Sequence, residues 1–312
     1  MTSLLDLPKV NPMTTCPTRP NLDAMELSLG KKARLYRLMY QHGPGNGSML
    51  FLPMDQGLEH GPMDFFVNPP CGDANYQAQL ALNGNYSAVV FQIGVAEKIM
   101  RPYVGKVPLV IKLNGKTCIP SDTHAFSPLT SSVEDAVRLG ADAIGYTLYV
   151  GSPSQDRDIL QFNAVRKECE RYGMPIIMWA YPRGEAVDKK GGKDSLYAID
   201  YAARVACELG ADVVKINYPK TDDKSRTGVP KPYDELILSQ EESIQQVVRS
   251  AGPVPVVFSG GSKVDDTELL NMARMAMANG GSGLIFGRNM WQRPMDQALD
   301  ISRKAASVMR EY

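Results

Sequence analysis

The residue in this sequence best suited to chemistry is Lys215, a lysine inside the otherwise apolar stretch VVKINYP. Burying an ammonium among apolar neighbours is costly, because desolvation disfavours the charged form and pulls the pKa down. In water, a lysine with a pKa near 10.4 is neutral in only about one molecule in 2,500 at pH 7. A fall of about three units costs roughly 4 kcal/mol and leaves a large neutral fraction. Neutral amine is the species that adds to a ketone to give a Schiff base. The residues alone leave two readings open: such a nucleophile, or an ammonium that snorkels outward or pairs with a carboxylate such as Asp55.

Three further groups of residues fit around it. In MWAYPRG, Trp179, Tyr181 and Arg183 alternate, so an extended chain carries all three on one side. Tyr181 can give and take a proton and Arg183 can steer an anion; an aromatic rim is the plainer alternative. FSGGS and FGRN leave backbone at Ser259, Gly260, Gly261 and Gly287 open to an anion, with helix N–H groups behind and Arg288 adding charge. Asp55, Glu59 and His60 lie close together in PMDQGLEHGP, yet no second histidine stands at helical spacing from them, so no metal set is read there.

These residues fall at the ends of eight short apolar runs: Met49–Met54, Ala88–Ile93, Val107–Leu113, Ala143–Leu148, Ile176–Tyr181, Val213–Tyr218, Val254–Phe258 and Gly283–Phe286. Each is apolar nearly throughout, as strands buried on both faces are. Helical spacing marks Ser154–Tyr172, Ser195–Leu209, Asp266–Asn279 and Pro294–Tyr312, and Ser132 is a plausible cap for a short helix. RLGADAIGY, ELGADVVKI and ANGGSGLIF repeat one phrase, in which a helix ends at glycine and a strand follows. No GxGxxG follows the first run, so the α/β pattern predicts a single closed (β/α)8 (TIM) barrel rather than an open doubly wound sheet. In such a barrel the reactive side chains gather where the strands end. Strand three then carries Lys112 and strand four carries Tyr146 and Tyr149. The loops 184–194 and 219–238, rich in Gly, Pro and Lys, follow strand ends and are candidates for lid or interface duty.

Composition narrows the classes. The 312 residues are 44% hydrophobic and 22% charged, enough for a sizeable core. With 34 basic and 34 acidic residues the formal charge is zero, which argues against nucleic acid or an anionic membrane as partner. Five cysteines without a CxxC pair read as reduced thiols of a cytoplasmic protein. No apolar run reaches a membrane span, and the start has no secretory pattern. Residues 1–27 read as a Pro-rich arm that frays or packs on a neighbouring subunit, and 28–312 as the barrel domain.

Taken in order, DQGLEHGP, VVFQIGVAEK, VPLVIKLNGKT, WAYPRG, GADVVKINYP, FSGGS and FGRNMWQRP resemble the archaeal-type class I fructose-bisphosphate aldolases, from about Ser48 to the C-terminus. The resemblance implies a metal-independent lyase of glycolysis and gluconeogenesis acting on sugar phosphates, with no cofactor beyond its own lysine. It implies Lys215 as the Schiff-base lysine, Tyr181 as acid and base, and Asp55 as a catalytic aspartate. It further implies Trp179 and Arg183 as substrate neighbours, and Ser259, Gly260, Gly261, Gly287 and Arg288 as the phosphate site. A homo-oligomer, up to a decamer, follows from the same resemblance. Many relatives carry a second lysine two residues after the reactive one, where this chain has Asn217. The alternatives are a related Schiff-base transaldolase-like synthase or thiolase on the same barrel, a barrel that binds sugar phosphates without turnover, and a metal-dependent aldolase.

Overall fold

A computed structural model describes residues 15–312. Eight parallel strands close into one barrel in sequential order: β1 (Met49–Pro53), β2 (Ala88–Gln92), β3 (Leu109–Lys112), β4 (Ala143–Val150), β5 (Ile176–Pro182), β6 (Val213–Ile216), β7 (Val256–Ser259) and β8 (Gly283–Ile285). All eight predicted strands are present, each within a few residues of its expected bounds. The predicted helices appear as Gln155–Tyr172, Leu196–Leu209, Asp266–Ala278 and Met295–Arg310. Ser132 caps the helix Val133–Arg138 in a reciprocal box with Asp135. A further helix, Gln240–Ser250, fills the interval between the long loop and β7, started by the same kind of box from Ser239 and Glu242.

Alternation along each strand separates two cores. Leu50, Leu52, Val89, Phe91, Ile111, Met178, Val214 and Phe258 face outward and pack beneath the helices. Met49, Phe51, Val90, Val110, Ala143, Ile177, Trp179, Val213, Val257 and Ile285 fill the barrel interior. The same parity sends Lys112, Tyr181, Lys215 and Ser259 inward at the carboxyl ends of β3, β5, β6 and β7. Tyr146 falls on the other parity. It packs outward, its hydroxyl donating to Asp158 at 2.8 Å, and takes no part in the barrel mouth.

The floor of the barrel is closed by Leu22, Leu35, Leu38 and Met39. Of the predicted arm, residues 1–14 lie outside the described residues. Within the chain the rest is tied to the barrel: Arg249 donates to the Thr15 carbonyl at 2.9 Å, and Arg19 donates to the carbonyls of Asn46 and Tyr312 at 2.9 and 3.1 Å. Among the described residues no helix is long and apolar enough to cross a membrane. All five cysteines are free.

Candidate active site

At the carboxyl end of the barrel lies a cavity of about 240 Å³. Asp55, Trp179, Tyr181, Arg183, Lys215, Ser259, Gly260, Gly261, Gly287 and Arg288, the ten catalytic and substrate-site residues that the resemblance implies, line it. Closure of the sheet is what gathers them, since Asp55 and Lys215 are 160 positions apart in the chain.

Lys215 sits on β6 beside Trp179 of β5, its register partner, and is only 7% exposed. Its ammonium nitrogen lies 4.3 Å from the Tyr181 ring centroid and 5.8 Å from that of Trp179. Burial brings the Lys215 pKa down to about 8, against the upward pull of the Asp55 and Glu59 carboxylates and with help from Lys112 and Arg288. Among the described residues it has no ion-pair partner. The carboxylate expected as its alternative partner is taken: Asp55 pairs at 3.2 Å with Lys112 of β3, which also pairs with Glu59 at 3.1 Å. Lys112 is fully buried. Desolvation alone would lower its pKa, but Glu59 and Asp55 outweigh that and hold the ammonium above the ordinary lysine value. Two lysines therefore share one mouth with opposite shifts, Lys112 held as a cation and Lys215 brought nearer to losing its proton.

The wall formed by β7 and β8 is backbone-rich. Gly261 has φ +60°, a left-handed conformation that a side chain rarely adopts. A Cβ on Gly260 would stand 2.7 Å from the Phe286 ring, and one on Gly287 would displace the Gln56 amide and crowd Pro53 at 3.1 and 3.2 Å. Asn289 holds this loop in shape, donating to the carbonyls of Gly260 and Ser262 at 3.1 and 3.2 Å and accepting from the Val264 N–H at 2.8 Å. Arg288 donates to the Gly261 carbonyl at 3.1 Å, and its other terminal nitrogen stands 4.0 Å from an Asp64 carboxylate oxygen. Such an arrangement suits a phosphate.

A second cationic pole stands across the mouth. Arg183 donates to Asp122 at 2.9 Å, and Lys116 pairs with the same carboxylate at 2.7 Å. Burial works against the Asp122 charge, yet Lys116 and Arg183 outweigh it and hold its pKa below the usual carboxylate value. Two cations around one anion leave a single positive charge over. Lys193, in the 184–194 loop, also lines the cavity, a residue the sequence reading did not single out. That loop is held near the site because Asn217 donates to Asp194 at 3.0 Å while accepting from the Ser259 hydroxyl at 2.6 Å. It also docks on the 219–238 loop, where the Lys220 N–H donates to the Asp194 carbonyl at 2.7 Å. His60, another wall residue, is fixed by Asp64 at 2.7 Å.

The model of the DeoC/LacD family aldolases matches residues 49–293. The chain is 38% identical over 264 residues to the class 1 fructose-bisphosphate aldolase of Thermoproteus tenax, covering 84% of this chain and 90% of that one. The corresponding enzyme of Halobacterium salinarum is 36% identical over 248 residues, covering 80% and 86%. A solved archaeal fructose-1,6-bisphosphate aldolase, with its catalytic lysine bound to the carbinolamine intermediate, is 34% identical and superposes with a TM-score of 0.75 over 88% of this chain and 99% of that chain. A family match across the barrel, with relatives above 30% identity along most of both chains, makes this chain a member of the DeoC/LacD family of aldolases, and hence a carbon–carbon lyase.

Proposed function

We propose that the protein is a class I, Schiff-base aldolase that reversibly cleaves fructose 1,6-bisphosphate into dihydroxyacetone phosphate and glyceraldehyde 3-phosphate. One observation carries the reading: Lys215 is buried, has no ion-pair partner among the described residues, lies 4.3 Å from the Tyr181 ring centroid with its pKa lowered to about 8, and shares its cavity with Arg183 and with the glycine-rich wall that carries Arg288. A ketose with a phosphate at each end fits that layout. The names of the relatives point the same way.

In this mechanism the neutral Lys215 amine adds to the C2 ketone, and loss of water gives an iminium that can accept an electron pair. Tyr181, its own proton given up as the iminium forms, takes the C4 hydroxyl proton on its phenolate oxygen as the C3–C4 bond breaks, the bond's electrons passing into the enamine, and glyceraldehyde 3-phosphate leaves. Tyr181 then returns a proton to C3, and water releases dihydroxyacetone phosphate from Lys215. Asp55, held by Lys112, orients substrate hydroxyls or assists proton transfer in the carbinolamine. Ser259, Gly260, Gly261, Gly287 and Arg288 hold the C1 phosphate, and Arg183 the other. No step uses a metal, since the iminium serves as the electron sink. The same reading places the protein in the cytoplasm, where its five free cysteines stay reduced, as a homo-oligomer. Exposed Met63, Phe66 and Val67 near the barrel mouth suit a subunit contact.

The test is to incubate the protein with fructose 1,6-bisphosphate in EDTA, add borohydride, and map the modified peptide by mass spectrometry. A reduced three-carbon phosphate adduct on Lys215 is expected. Folded protein without an adduct would overturn the assignment for this substrate, and an adduct formed only with another phospho-ketone would move it to a related synthase or thiolase.

A further inference from the structure

We infer that Lys112 is a positioning residue for Lys215: by holding both Asp55 and Glu59 it leaves Lys215 without an anionic partner and limits the surplus negative charge beside it to one. The inference deepens the proposed mechanism and rests on Lys215 being its nucleophile.

The geometry behind it is an imbalance. Asp55 and Glu59 enter the barrel mouth from the segment after β1, and Lys112 lies 3.2 and 3.1 Å from their oxygens. Its ammonium nitrogen is 5.1 Å from the centroid of the Trp179 ring, and that of Lys215 is 5.8 Å from the same centroid. A glycine on β4 makes the arrangement possible, since a Cβ on Gly145 would stand 2.7 Å from Trp179 and 3.0 Å from the Lys112 stem. The other charged or titratable groups around Lys215 are Tyr181 and Arg183 of β5, Lys193 of the following loop, Arg288 after β8, and His60 after β1. Within the Asp55–Glu59–Lys112 cluster, two carboxylates against one fixed cation leave one negative charge, which Arg288, the weakest of the charged neighbours acting on Lys215, opposes.

That surplus serves the two halves of imine chemistry. With both carboxylates uncompensated, Lys215 would be held as an unreactive ammonium, because an opposite charge within several ångströms raises a lysine pKa by about 1–3 units. With none left over, nothing on the protein would offset the positive charge that appears on the Lys215 nitrogen when the iminium forms. Lys112 never touches the reacting atoms in this scheme. It sets the charge they meet.

The balance can be read without turnover, by labelling Lys215 with trace acetic anhydride across pH 6–10 and quantifying its peptide by mass spectrometry, alongside kcat/KM profiles. Lys112→Met is expected to move the Lys215 inflexion upward by about one unit or more, with reactivity at pH 7 falling about tenfold. Glu59→Gln is expected to move it downward. The double variant Lys112→Met/Glu59→Gln restores one surplus negative charge and is expected to titrate near the wild-type value. Should Lys112→Met not yield folded protein, the other two decide: the double variant titrating above Glu59→Gln supports the balance, and equal inflexions overturn it. Activity lost in every variant with an unmoved inflexion would make Lys112 merely structural. Labelling reports on Lys215 whether or not it forms an adduct, so failure here is distinguishable from failure of the aldolase assignment.

Discussion

A Lys215 pKa near 8 leaves about one molecule in eleven with a neutral amine at pH 7, and far fewer at pH 6. The sign follows directly: the reactive form is the deprotonated one, so raising the pH adds nucleophile until the group has titrated. We expect log kcat/KM to climb with a slope near one between about pH 6 and 7.5 and to bend near 8. A flat profile through that window would mean that Lys215 is not the group whose ionisation limits the reaction. Tyr181 is tested differently, since its proposed work begins after the imine exists. Tyr181→Phe should lower fructose 1,6-bisphosphate cleavage by about 10²–10⁴-fold while Lys215 still traps dihydroxyacetone phosphate on borohydride reduction. If trapping and cleavage fell together, Tyr181 would belong to imine formation instead.

Strands, more than any single residue, decide which side chains meet. Parallel strands covered on both faces read as continuous apolar runs, and for that reason all eight were legible in the sequence, together with the cavity-lining residues that follow β1, β5, β6, β7 and β8. Choice of partner was not legible. Whether Asp55 holds Lys215 or Lys112 depends on how the closed sheet aims three side chains, and no local spacing encodes it. Tyr146 and Tyr149 were read together on β4, although an odd separation along a strand puts them on opposite faces. Lys193 was missed because its loop reaches the cavity through Asn217 and Asp194, contacts made only after folding. The elements carry tests of their own. Gly145→Ala forces Trp179 or the Lys112 stem to move, so we expect kcat to fall at least tenfold with the fold intact by circular dichroism. Wild-type kcat in that variant would show the indole and lysine free to shift. Lys193→Ala, if the loop helps hold the second phosphate, should raise KM for the bisphosphate several-fold and spare KM for fructose 1-phosphate.

At the scale of the whole molecule the two ends of the barrel do different work, and the repeated phrase of the sequence belongs to the lower end. In RLGADAIGY and ELGADVVKI, glycines in the left-handed conformation, Gly140 and Gly210, release the helix, and the aspartates that follow open β4 and β6. Both aspartates pair with the segment that closes the floor: Asp142 accepts from Arg37 at 2.6 Å, and Asp212 lies 3.0 Å from Lys31. Asp212 also accepts from the Ile176 N–H at 2.8 Å, so one carboxylate ties β5, β6 and the floor together. Burial pushes the Asp212 pKa up, and Lys31 opposes that push. Lys31 is itself 2% exposed, so removing it strands a buried charge rather than trimming a surface pair. We therefore expect Lys31→Met to destabilise the fold by about 3–5 kcal/mol, read as a lower urea midpoint. Because the floor and the mouth lie at opposite ends of the strands, the pH profile and the Lys215 adduct should stay unchanged at temperatures where the variant is folded. A shifted Lys215 profile in a stable Lys31→Met protein would show instead that charge at the floor is felt through the barrel by the amine at its mouth.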